Sequence, residues 1–334
     1  MNPVNNASLI KYFGRPLIIS VIVLILVLLI LGPAAAITAT LLALLEVTLS
    51  FDNAVVNAKV LNTMSAKWQK RFLTWGIAFA VVGTRLILPI LVVSIVAGIS
   101  PILVSILVVK NPVAYAQLLG NAHYAINAFG TAFLSVVALK YFFDEEKSVH
   151  WIERLEQGLS QWGSIEEIEI ALVMIMLLIV SYWSDAPSGT ILTAGIVGII
   201  LYIIMEGLTH TLHSSTKRIA QAGLMGFIYL NVLDSAFSLD GVIGAFAITT
   251  NVVVIAIGLG IGAYFVRCMT MYLVHTGTLS ALRYLEHGAH WAILGLALNM
   301  AASLIIHVPE VVTALTGLII IAASYISSLK YSSR

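Results

Sequence analysis

Along most of the chain, apolar positions run on without the polar interruptions that a water-facing helix or strand needs. Runs of about twenty apolar residues recur, the length that carries an α-helix across the hydrocarbon core of a bilayer. The pattern predicts about ten helical spans, at 17–31, 36–58, 71–98, 121–143, 167–183, 190–207, 220–248, 252–275, 289–306 and 311–328. The stretch 101–109, PILVSILVV, is too short to span and predicts a re-entrant or interfacial piece. The longest polar connection, about 144–166, carries Trp151, Ile152, Leu155, Leu159 and Trp162 near helical spacing, with acids between them. It predicts a connecting helix lying in the membrane interface, with a partner-binding or metal-gathering surface as the alternative.

Composition agrees with this reading. The 334 residues are 60% hydrophobic and only 10% charged, and the mean hydropathy is +1.01, where soluble domains carry roughly 25% charged residues. The fold class expected is therefore all-α, a polytopic membrane protein surrounded by lipid. A formal net charge of +1 gives no reason to expect a nucleic-acid partner. The lone cysteine, Cys268, excludes a disulfide framework and a thiolate metal cage.

The basic residues orient the spans. With the N-terminus in the cytoplasm, every Lys and Arg falls on or beside a cytoplasmic segment except Lys110, on the outer side, and Arg85 and Arg267, inside spans. Both termini are expected in the cytoplasm. The first apolar run follows Lys11 and Arg15 and precedes Pro33-Ala34-Ala35-Ala36, the outline of a secretory signal. A repeat within the chain gives this run a counterpart, so a retained first helix is expected.

The repeat is carried by two acidic motifs. Glu46-Val47-Thr48-Leu49-Ser50-Phe51-Asp52-Asn53 aligns with Asp234-Ser235-Ala236-Phe237-Ser238-Leu239-Asp240-Gly241, a shared acid-x-x-x-Ser-x-Asp pattern. Ala122-His123-Tyr124-Ala125-Ile126 later parallels Ala289-His290-Trp291-Ala292-Ile293, and Arg85 and Arg267 sit in corresponding spans. The chain divides at the cytoplasmic connecting segment into 1–166 and 167–334, while the repeat itself sets spans one to five against spans six to ten. Five is an odd number, so the second set runs through the membrane in the opposite sense. Such inverted-topology repeats are common in secondary transporters, with the substrate site near the midplane.

An ionised group at the bilayer centre costs at least about 2.5–3.5 kcal/mol unless it is paired, protonated or wet. Glu46, Asp52, Asp234 and Asp240 lie well inside spans, against Arg85 and Arg267, which leaves two negative charges. One divalent cation would neutralise them, as would two protons. On a regular helix Glu46 and Ser50 share a face while Asp52 points away. The residues around Leu49–Asn53, and Gly241 in the second copy, therefore predict two broken helices crossing near the midplane. Carboxylate, hydroxyl (Ser50, Ser238), amide (Asn53) and carbonyl oxygens suit hard divalent ions such as manganese, magnesium or calcium.

The two motifs, with Arg85 and Arg267, resemble the signature motifs of the TerC-like integral membrane proteins, named for tellurium resistance. The chain looks most like a bacterial branch filed as a domain of unknown function. The resemblance covers about 36–143 and 220–328. It implies a bacterial inner-membrane transporter, with manganese export among the activities of the family, and a metal site of Glu46, Asp52, Asn53, Asp234 and Asp240. Gly241 departs from the pattern where the first copy has Asn53.

The function expected is export of a divalent cation, manganese first, by alternating access through the paired carboxylates. Arg85 and Arg267 serve as charge-balancing posts. The metal is substrate, no cofactor is tightly bound, and a homo-oligomer is left open. The alternative is a non-transporting membrane assembly or metal-delivery partner, docking through 144–166. An enzyme is not expected: the YD and GxGD patterns of intramembrane aspartyl proteases are absent.

Overall fold

The structure, a computed structural model, describes residues 6–145, 147–212, 219–277 and 282–332. Lys217, Arg218 and Arg334, used above for orientation, lie outside the described residues, as does the side chain of Asp240. Among the described residues all regular structure is helical. The order is α1 (Asn6–Leu31), α2 (Pro33–Leu49), α3 (Phe51–Asn62), α4 (Ala66–Ala78), a π-helical segment (Phe79–Ile87), α5 (Leu88–Ala97), α6 (Pro101–Lys110), α7 (Pro112–Asn121) and α8 (His123–Phe142). It continues with α9 (Glu153–Ser160), α10 (Ile168–Trp183), α11 (Ser188–Leu212), α12 (Ile219–Ile248), α13 (Val252–His275), α14 (Leu285–Ser303) and α15 (Glu310–Ser332).

Local chemistry sets several boundaries. Gly32, at φ +90°, separates α1 from α2, and Pro33 opens α2 where no backbone donor is needed. Ser100 caps α6 at Leu103 N (3.3 Å) and Asn111 caps α7 at Ala114 N (3.1 Å), each followed by proline. The predicted short piece at 101–109 is thus the ten-residue α6, paired with α7. At about 1.5 Å per residue it reaches only half-way through a bilayer core.

Among the described residues six helices are each long and apolar enough to cross a membrane: Ile10–Leu31, the continuous Ala66–Ala97, His123–Phe142, Ser188–Gly207, Gly223–Ile248 and Val252–His275. α2 and α3 make a seventh as a pair bent by 54°. The remaining expected spans also fall on helices. α10 and the apolar part of α15 (Leu315–Tyr331) are shorter, however, and α14 carries Glu286, His287, His290 and Asn299 along its 19 residues. A polytopic membrane protein follows, with fewer self-sufficient spans than the hydropathy count suggests.

One expectation is corrected. The first acidic motif interrupts its helix, at Ser50 (φ −103°, ψ 15°), but the second does not: α12 runs unbroken from Ile219 to Ile248 through Asp234, Ser238, Asp240 and Gly241. A glycine inside a helix costs about 1 kcal/mol relative to alanine, which a 30-residue apolar helix absorbs. The first break is also tighter than an unwound stretch. Ser50 N still donates to Glu46 O (3.0 Å), and Ser50 O still accepts from Ala54 N (3.1 Å).

The described chain forms two compact units, which cut across the two sequence halves. The first takes the chain up to Ala122 together with Leu230–Gly277. In it α13 is central, packed on α1, α2, α3, α4 and the π segment. The second takes His123–Tyr229 and the chain from Thr278 onward. In it α8 packs on α10, α11 and α14, and α14 packs on α15.

Candidate functional site

All the expected site residues belong to the first unit. Glu46 lies in the last turn of α2, Ser50 at the bend, and Asp52, Asn53 and Asn57 on the first turns of α3. The N-terminus of α3 favours a carboxylate there, and Asp52 Oδ1 accepts a hydrogen bond from Asn53 N (2.8 Å). Asn231, Asp234 and Ser238 recur at helical spacing on α12 and are all buried. Gly262 of α13 lets Glu46 come close: a Cβ there would lie 2.5 Å from Glu46 Cβ.

Each motif copy pairs its first acid with its own arginine. Arg85 Nη2 donates to Glu46 Oε1, which also accepts from Ser50 Oγ at 2.9 Å. Arg267 Nη2 donates to Asp234 Oδ2 at 2.8 Å and to Asn231 Oδ1 at 3.4 Å. The Arg267 guanidinium lies 4.0 Å over the Phe72 ring, a contact worth more in a desolvated setting. Asn53 joins the two motifs, its Nδ2 donating to Asp234 Oδ1 over 2.8 Å.

Burial makes these pairings obligatory, since all four charged groups are nearly inaccessible. Asp52 differs. It is 4% exposed, and no described cationic side chain lies within ion-pairing distance of it. Three buried oxygens on the same elements also lack partners: Asn53 Oδ1, Asn57 Oδ1 and Ser238 Oγ. The described residues thus hold two cancelled charge pairs and one uncancelled carboxylate. They do not gather three His, Cys, Asp or Glu side chains into a metal-holding group. The fourth expected acid, Asp240, has its side chain outside the described residues.

Sequence reasoning missed two features. The first is the π-helical turn that carries Arg85, which donates through Nη1 to Ala80 O, five residues back. Such bulges collect at functional sites, but the run FAVVGTRLI offers no signal beyond an arginine in an apolar stretch.

The second is a polar cluster in the other unit. Glu156 of α9, one of the acids between the apolar positions of 144–166, is fully buried. It accepts from His287 Nδ1 (2.7 Å), Trp291 Nε1 (2.9 Å) and the backbone N of Trp151 (3.1 Å), with Lys147 Nζ at 3.2 Å. A carboxylate only accepts, so His287 carries its proton on Nδ1. Burial alone would raise the Glu156 carboxyl; the bonds from His287 and Trp291, with the charges of His287 and Lys147, outweigh it and hold the group well below the usual range. Burial in turn lowers the Lys147 ammonium, against the pull of Glu156. Meanwhile Ile152, Leu155 and Trp162 face outward, exposed, as an interfacial segment requires.

This latch gives a prediction. Glu156→Gln should lower stability by about 1.5–3 kcal/mol, the range for bonds to a charged acceptor. It should also speed hydrogen exchange selectively across 147–160; unchanged exchange there would remove the latch. Because the folded carboxyl sits below its ordinary value of 4.5, its contribution is full above that pH and is lost as pH falls below it. Acid should therefore narrow the difference between wild type and variant.

No curated protein and no solved structure gives a match to the chain. A family match begins at residue 51, so it leaves out Glu46 and Ser50 and takes in Asp52, Asn53, Arg85, Asp234, Ser238, Asp240 and Arg267. The match runs over residues 51–334, and the chain belongs to that family, described as Protein of unknown function (DUF475).

Proposed function

We propose that this chain is a membrane transporter that moves a divalent cation, manganese first among the candidates, by alternating access. One observation carries the reading: Asp52 is a buried carboxylate on a membrane-spanning bent helix pair, without a cationic partner among the described residues. Beside it lies a buried amide oxygen, Asn53 Oδ1, that no described residue satisfies. A negative charge left uncompensated at this depth, with an oxygen donor next to it, fits a mobile cation of the hard class. The paired Glu46–Arg85 and Asp234–Arg267 posts support the repeat architecture on which alternating access depends. The TerC-like assignment, the bacterial inner membrane and cytoplasmic termini belong to the same proposal.

Export of a divalent cation from a negative interior works against about 4.6 kcal/mol per 100 mV, at about 2.3 per charge. Protons entering through the same carboxylates would offset that. In everted vesicles carrying the protein, manganese is expected to enter and the lumen to lose acidity as it does. Magnesium and calcium serve as comparison ions. Vesicles that take up none of the three beyond empty controls would remove the transport reading. A proton signal indifferent to metal would remove the exchange.

The outward apolar face of Ile152, Leu155 and Trp162 favours a second reading, a non-transporting membrane partner. It predicts that Leu155→Asp with Trp162→Asp abolishes the cellular phenotype while Asp52→Asn leaves it intact.

A further inference from the structure

In the alignment of the two motifs Glu46 corresponds to Asp234 and Asn53 to Gly241. The folded chain makes this correspondence reciprocal. Residue 53 meets the first acid of the second copy, where Asn53 Nδ2 donates to Asp234 Oδ1 over 2.8 Å. Residue 241 meets the first acid of the first copy, where a Cβ placed on Gly241 would lie 3.4 Å from Glu46 Oε2. Only one of the two contacts is made by a side chain.

The two acids therefore end up differently. Asp234 has both oxygens engaged, Oδ2 by Arg267 and Oδ1 by Asn53. Glu46 receives Arg85 and Ser50 on Oε1, while Oε2 accepts no hydrogen bond from any described residue. Glu46 is nonetheless 2% exposed. A carboxylate oxygen without a donor, on a residue buried this far, is free to take a cation or an ordered water. Ser238 Oγ, three residues before Gly241 on the same helical face, is buried and unpartnered as well.

We propose that Gly241 determines where the cation binds: by withholding a side chain it leaves Glu46 Oε2 open as a cation ligand, while Asn53 closes Asp234. The repeats then hold one cation site on the Glu46 side, and not a symmetric pair. This rests on the transport reading and deepens it. An amide N–H at position 241 would satisfy Oε2 as Asn53 satisfies Asp234. A cation would then have to break that bond before it could bind.

The test is a MnCl2 titration of the purified full-length protein in detergent, followed by its thermal unfolding midpoint, with magnesium and calcium in parallel. The wild type should show a saturable rise. Gly241→Asn should raise the half-saturating concentration about tenfold or more, the scale on which oriented partners alter metal affinity. Gly241→Ser should act in the same direction with less bulk, so a folding failure of the asparagine variant does not end the test. Gly241→Ala adds only an ordinary contact and no donor, and should titrate like the wild type.

Wild-type affinity in both Gly241→Asn and Gly241→Ser overturns the proposal, as does an equal loss in Gly241→Ala, which would assign the effect to bulk. A wild-type response retained by every variant removes this inference alone. No wild-type response to any of the three metals removes the transport reading with it.

Discussion

Asp52→Asn is expected to abolish cation flux while leaving the fold intact. Its carboxylate is buried yet accepts only a backbone N–H among the described residues, a bond that the amide oxygen of asparagine can also accept. No arginine is stranded by the change, and an unpaired charge is removed from the membrane interior, so the unfolding midpoint should hold or rise. The functional effect should be large. Two unit charges about 4 Å apart interact by about 4 kcal/mol at an effective dielectric constant near 20, and a divalent ion doubles that. A loss of about a hundredfold in initial rate needs only about 2.7 kcal/mol. The measurement is manganese uptake into everted vesicles, normalised to protein, beside the midpoint of the purified variant. Wild-type uptake by Asp52→Asn would remove Asp52 from the site. Asp234→Asn makes the contrast, because it leaves Arg267 buried without its counter-charge and should fail in folding first.

That contrast could not be read from the chain alone. Periodicity and run length located the helices, and two acids per motif inside apolar runs marked the region where charge must be explained. The arithmetic of four acids and two arginines was also legible. Which acid each arginine holds was not, since 39 residues separate Glu46 from Arg85 and 33 separate Asp234 from Arg267. The helix break illustrates the limit well. Ser50 and Ser238 occupy equivalent places, yet only Ser50 interrupts its helix, where its hydroxyl turns to the Glu46 carboxylate. Ser238 Oγ has no partner. The copy with the glycine, the poorer helix former, is the one that stays helical; the tertiary surroundings decide. Glu156 fails for the same reason. On the sequence it is one acid among several in 144–166, and two of the partners that hold it inward, His287 and Trp291, lie 131 and 135 residues away.

The arginines provide the second large effect, and one that separates scaffold from site. Arg267→Met should destabilise the protein by about 3–5 kcal/mol, the cost of leaving one member of a buried ion pair without the other. Arg85→Met should fall in the same range. Arg267 stands to lose more, because it also gives up the Phe72 ring and Asn231. Removing both partners is a different matter, since a neutral pair of similar volume is often tolerated. Asp234→Asn with Arg267→Met, and Glu46→Gln with Arg85→Met, should each recover most of the lost midpoint in detergent. The two doubles are electrostatically equivalent, each deleting one acid and one arginine from corresponding places in the repeat. Their transport should nevertheless diverge. With Asp234 closed by Asn53 and Glu46 open towards Gly241, the Asp234 double should keep manganese flux and the Glu46 double should lose it. Equal loss in both would make the pairs a common part of the translocation path. Equal retention would leave the binding to Asp52 and its amide neighbours and reduce both pairs to structural posts.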